Sequence, residues 1–102
     1  MQEFKVLEST PILKIALSGE IDSGNADEFF DVFSAEYEKN PSDVVFECSK
    51  LEFIDSTTLG TFVKILKHVK SAGHAMKLTG LIPRLKKLFV ICSLDTIMEI
   101  EG

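Results

Sequence analysis

Residues 52–62 read "EFIDSTTLGTF", and their reading decides the fold. The stretch opens on apolar groups in a strand-like run. One acid and three hydroxyls follow, Asp55, Ser56, Thr57 and Thr58, and then an apolar series at helical spacing. Leu59, Phe62, Val63, Leu66 and Val69 form the buried face of the helix predicted to begin near Ser56, while Lys64, Lys67, His68 and Lys70 lie largely elsewhere, in water. Gly73 is a natural stop for this helix. A strand that passes through a short polar loop into a helix is the repeating unit of α/β folds, and the rest of the chain extends it.

On the N-terminal side, "EFKVLE" alternates as a strand and Pro11 ends it. "ILKIALSG" is a second strand, with Leu13, Ile15 and Leu17 on one face, and it pairs with the first as a hairpin. Gly19 is expected to close it, and "EID" leads to a helix capped by Asp22 or Ser23. Ala26, Phe29, Phe30, Phe33 and Tyr37 make one apolar stripe on that helix, and Asn40-Pro41 stops it. "DVVFEC" reads as a short buried central strand. On the C-terminal side, "HAMKLTG" is a strand. Pro83 suits the first turn of a helix whose stripe is Leu85, Leu88, Phe89 and Cys92, and "TIMEIE" adds a last edge strand. The order is β-β-α-β-α-β-α(-β), which predicts a single α/β domain over residues 1–102. Its mixed sheet has four to five strands packed with helices and joined by right-handed crossovers. Loops at the carboxyl ends of the parallel strands form the functional edge, and both "GEID" and "IDSTT" fall there.

Composition narrows the functions. The chain has 102 residues, 45% hydrophobic and 26% charged, with a formal net charge of -5. An acidic surface repels nucleic acid and anionic membranes, so no direct nucleic-acid contact is expected. No apolar run approaches the ~20 residues of a membrane span. The N-terminus lacks the basic start and apolar core of a secretion signal, which predicts a cytoplasmic protein without membrane insertion. Cys48 and Cys92 read as buried small hydrophobes. No residues show metal-ligand spacing, no Gly-rich loop or nucleophile elbow marks a cofactor or catalytic site, and His68 and His74 read as solvated surface residues. Neither a cofactor nor catalysis is expected.

Asp55-Ser56-Thr57-Thr58 has two readings on the residues alone. Small polar groups cap helices, and composition favours that. A hydroxyl at a helix N-terminus is also a place where an added phosphate meets unpaired N–H groups and the positive end of the helix dipole, a favourable contact of ~0.3–1 kcal/mol when exposed. It brings a charge of about -1.5 to -2, enough to turn a docking surface off.

Over nearly its whole length the chain resembles the STAS domain family, which includes the anti-sigma factor antagonists. "LSGEID", residues 17–22, is similar to the family's loop after the second strand. "FIDSTTLGTF" resembles its central signature of an apolar pair followed by Asp-Ser-Ser/Thr-Gly-Leu-Gly, and "IPRLKKLFVICSLDTIMEI" resembles its C-terminal helix and tail. The resemblance implies a bacterial partner-switching regulator of transcription. The unphosphorylated form would bind an anti-sigma factor that is also a serine kinase, freeing the sigma factor. Phosphorylation of Ser56 would end the binding, and a phosphoserine phosphatase would reverse it. The contact patch implied is Glu20, Ile21, Asp22, Asp55, Ser56, Thr57, Leu59 and Gly60. The alternative role within the family is a non-phosphorylated interaction subunit of a transporter or signalling scaffold. Thr58 stands where the family usually has Gly. A β-branched residue there is expected to add bulk at the contact surface, and to be tolerated early in a helix.

Overall fold

The computed structural model describes residues 1–101. Its elements are β1 (Phe4–Glu8), β2 (Leu13–Ile21), α1 (Ala26–Lys39), β3 (Val44–Ile54), α2 (Ser56–Ser71), β4 (Met76–Thr79), α3 (Pro83–Ile91), a 3-10 turn (Leu94–Thr96) and β5 (Glu99–Glu101). The five strands lie side by side in chain order, β1-β2-β3-β4-β5. The β1–β2 pair is antiparallel and the other three pairs are parallel. The expected α/β order is present, including the last edge strand.

Chain order in the sheet explains where the helices go. Each parallel step moves one strand in the same direction, and right-handed crossovers then place every helix on the same face. The inner face is Leu13, Ile15 and Leu17 of β2, Val44, Phe46 and Cys48 of β3, and Met76 and Leu78 of β4, all buried. Phe29 and Phe33 of α1 and Phe62 of α2 close on Phe46, with ring centroids 5.6–5.8 Å apart, and Phe89 of α3 meets Phe62 at 5.6 Å. Phe29, Phe33, Phe62 and Leu66 are all core residues. The outer face carries half-buried Lys14, Ala16, Ser18, Val45, Glu47, Lys77 and Thr79. The central strand is therefore covered on one side only.

Several sequence expectations are corrected. Gly19 does not end β2; it adopts φ +67° within the strand, which continues to Ile21. The runs "DVVFEC" and "EFI" are one strand of 11 residues. Two register shifts against β2, between Ala16/Ser18 and Gly19/Glu20, re-phase its side chains, so Leu51 and Ile54 point inward and Glu52 and Phe53 outward. Helix α1 starts at Ala26, not beside Asp22, because Asp22 is held in a turn of its own: its Oδ1 accepts from Gly24 N–H at 2.9 Å. On α2 the buried face holds Ile65, whereas Val63 is half-buried. Cys92 is exposed, since α3 ends at Ile91 and Ser93, at φ +57°, turns the chain away before another helical turn could bury it. Cys48 is buried as expected; burial, and then the nearby Glu47, push its thiol up to about 12.

Candidate functional site

The site lies at the carboxyl ends of β2 and β3, which run parallel with Ile21 beside Ile54. That register carries the chain out of β2 into residues 22–25 and out of β3 into Asp55 at adjacent points of the same edge.

Asp55 is the N-cap of α2, in extended conformation, and its carboxylate joins both loops. Oδ1 accepts from Thr58 N–H at 3.0 Å, and Oδ2 accepts from Ser23 N–H at 2.8 Å across 32 residues. Thr58 N–H above all, and then Ser23 N–H, hold the Asp55 carboxyl below the usual aspartate range, because each bond favours the ionised form. Thr58 completes the link: its hydroxyl reaches the carbonyl of Ile21 and stands 3.0 Å from Asp55 Oδ1. The 22–25 loop is braced internally as well. Asn25 Oδ1 accepts from Asp22 N–H at 2.8 Å, and Asn25 Nδ2 donates to the Glu20 carbonyl at 3.0 Å.

Thr58 is fully buried, which corrects the expectation that its bulk lies on the contact surface. It sits in the first helical turn, where a β-branched residue carries no φ > 0 strain, and its Oγ satisfies a buried carbonyl. The residue that departs from the family pattern is a tie between the two loops.

The structure sorts the remaining candidates by exposure. Ser56, Thr57, Gly60 and Glu20 are exposed, and Asp22 and Asp55 are half-buried. Ile21 and Leu59 are buried, so their side chains underpin the patch from below and do not face outward. Ser56 is the first residue of α2, where helix geometry leaves backbone N–H groups without intrahelical partners. Gly60 lies one turn further on, with its outer side open: a methyl group added there would meet nothing within 4 Å. Two residues next to the patch escaped the sequence reading. Phe53 is exposed at the end of β3, and Arg84 of α3 donates to the Glu52 carbonyl at 2.6 Å. Phe53 was read only as part of the apolar run before Asp55; after the two bulges of β3 it faces outward, between the inward Leu51 and Ile54. His68 is three turns along α2 from Ser56, ~18 Å at the helical rise, and takes no part in the site.

Comparisons with known proteins bear on the family and the fold. The sequence profile of the STAS domain matches residues 3–102. The chain belongs to the STAS domain family. An anti-sigma-B factor antagonist of Listeria monocytogenes is 30% identical to this STAS domain over 93 residues, which cover 91% of this chain and 82% of the relative. A Thermotoga maritima protein, whose crystal structure is described as that of a candidate anti-sigma factor antagonist, superposes with a TM-score of 0.86 at 25% identity, over 97% of this chain and 84% of that one. The anti-sigma factor antagonist SpoIIAA shares the fold in both its states. The TM-score is 0.72 for the unphosphorylated form (17% identity; 97% of this chain, 86% of that one) and 0.74 for the phosphorylated Bacillus form (19% identity; 97% and 91%). No helix among the described residues of this STAS domain is long and apolar enough to cross a membrane.

Proposed function

We propose that this STAS domain is an anti-sigma factor antagonist that binds an anti-sigma factor kinase when unphosphorylated and releases it when Ser56 is phosphorylated. The observation that carries the reading is the placement of Ser56: an exposed hydroxyl at the first position of α2, directly after the Asp55 clamp and beside the 22–25 loop. The acceptor is exposed while its two supports, Asp55 and Thr58, are engaged in hydrogen bonds, so a kinase meets a hydroxyl on a pre-formed surface.

The switch follows from local charge. A phosphate on Ser56 Oγ is tolerated by the domain, since it faces the N-terminal dipole of α2 and water. Glu20, Asp22 and Asp55 already make this edge acidic, and the phosphate adds about -1.5 to -2 more. A partner seated there must strip water from that dianion, and an unpaired buried charge is costly. Binding is therefore lost without a change of fold. The occurrence of one fold in both states of SpoIIAA supports this reading.

Incubation with the cognate kinase followed by mass spectrometry should place phosphate on Ser56, and not on Thr57 or Thr58. Ser56→Asp should weaken capture of the kinase, Ser56→Ala should bind and resist switching, and both should melt close to wild type. Equal binding by wild type and Ser56→Asp would favour a permanent, non-phosphorylated interaction subunit.

A further inference from the structure

A cavity of about 550 Å³ opens at the sheet edge opposite Ser56, where β3, β4 and β5 begin. Its volume falls within the range of small-molecule sites, ~300–1,000 Å³. Val44, Leu66, Met76 and Met98 give it a buried apolar floor, and Ile97, exposed, is a wall supplied by the segment between the 3-10 turn and β5.

The charges around the mouth are unevenly matched. Asp43 Oδ1 accepts from Ala75 N–H at 3.0 Å and has His74 Nδ1 at 3.7 Å. Lys77 is shared between Glu99 at 3.7 Å and Glu101 at 3.4 Å. Lys70 forms no salt bridge among the described residues; its ammonium rests on the Ile97 carbonyl at 3.2 Å. Lys70 thus lines an apolar hollow with a neutral acceptor and no salt bridge of its own among the described residues, while Glu99 and Glu101 are taken up by Lys77. A carboxylate would offer Lys70 a charge-assisted bond stronger than its present neutral acceptor.

We propose that this cavity binds a small monocarboxylate with an apolar, medium-chain tail, its carboxylate on Lys70 and its tail on the Val44–Leu66–Met76–Met98 floor. The bound tail would fasten the Ile97 segment to α2 and β4. This site shares no residue with the Ser56 patch and does not depend on how that patch is used.

Decanoate at submicellar concentration is the probe, titrated into the full chain and followed by amide chemical shifts and thermal midpoint. Shifts should concentrate at Lys70, Met76, Ile97 and Met98, and the midpoint should rise. Lys70→Gln, at an exposed position, should fold normally and bind about tenfold more weakly. Ile97→Trp should fill the hollow and lose binding, and decanol should bind more weakly than decanoate. Shifts scattered over the other exposed apolar residues Leu7, Val90 and Ile91 would overturn the proposal. So would equal affinity of decanoate for wild type and Lys70→Gln.

Discussion

Two buried hydroxyls at opposite ends of the molecule have opposite circumstances. At the carboxyl edge of the sheet, Thr58 Oγ reaches the Ile21 carbonyl and stands beside Asp55 Oδ1. At the far edge Tyr37, equally buried, has a hydroxyl with no hydrogen-bond partner among the described residues. Tyr37 is held by its ring: it stacks on Phe33 at 5.5 Å and meets His68 and His74 edge-on at 5.4 and 6.4 Å. His68 in turn bonds Glu38 at 3.0 Å and His74 has Asp43 at 3.7 Å, so both histidines, expected to be solvated surface residues, stand at the surface with one side against Tyr37 and a carboxylate beside them. Around Tyr37 the far edge is joined by packing, and its own long-range bond, Asp43 Oδ1 accepting from Ala75 N–H at 3.0 Å, lies beside the ring cluster. The Ser56 edge is joined by directional bonds between two loops far apart in sequence, which fix the shape of a surface more closely than packing does.

The largest effect should come from the core both edges share. Phe33→Ala should cost ~3–5 kcal/mol, a large part of a typical domain stability of ~5–15 kcal/mol. Urea denaturation checks this, and an unchanged midpoint would mean that the stripe carries no weight. Next comes the tie itself. Thr58→Val keeps the shape but leaves the Ile21 carbonyl without its donor, a loss of about 1–3 kcal/mol, with amide shifts in both loops. The same deletion at the other edge sharpens the contrast: Tyr37→Phe removes a hydroxyl that has no partner and should be neutral, or stabilising by up to about 1 kcal/mol. A clear loss there would show that the Tyr37 hydroxyl makes a polar contact after all.

Gly60→Ala separates surface from scaffold. A glycine inside a helix costs ~0.8–1.0 kcal/mol relative to alanine, and nothing in the fold occupies the space beside this one. The variant should melt higher and bind the partner less well, because its methyl stands where a docked backbone would approach. Higher stability with unaltered binding would remove Gly60 from the patch. The smallest effect is confined to acid. The carboxyl of Asp55 is held below its unfolded value, so it stabilises the fold at pH above the ordinary aspartate value of ~3.9. That contribution is lost as pH falls through the lowered folded value. A plot of stability against pH should show this acid limb for wild type and a shallower one for Asp55→Asn.

The element order was legible in the sequence because each apolar stripe has an uninterrupted period: Phe29, Phe33 and Tyr37 on α1, Leu59, Phe62 and Leu66 on α2. Pro41, Gly73 and Pro83 stand at real boundaries. The length of β3 was not legible, since its bulges break the two-residue alternation that marks a strand, and the inward steps after Cys48 lengthen to three residues. The candidate site was half legible. Asp55 and Ser56 could be found from their place before a helical stripe. The bond from Ser23 to Asp55 and the role of Thr58 could not, because they depend on which loops the parallel register brings together. Cys92 was misplaced because the helical period was continued one residue past Ile91, where α3 ends.

The strands lie in the sheet in the order in which they occur in the chain, and this bears on how the protein is made. On a ribosome, each strand after β1 emerges to find a neighbour already present. Every closure between neighbouring strands spans one turn or one helical crossover, which keeps its entropic cost low. The sheet can be laid down in order from β1 to β5, with α1 and α2 settling on Phe46 before the α3–β5 tail exists. The edge that carries Ser56, built from β2, β3 and the start of α2, is finished while the last third of the protein is still being translated.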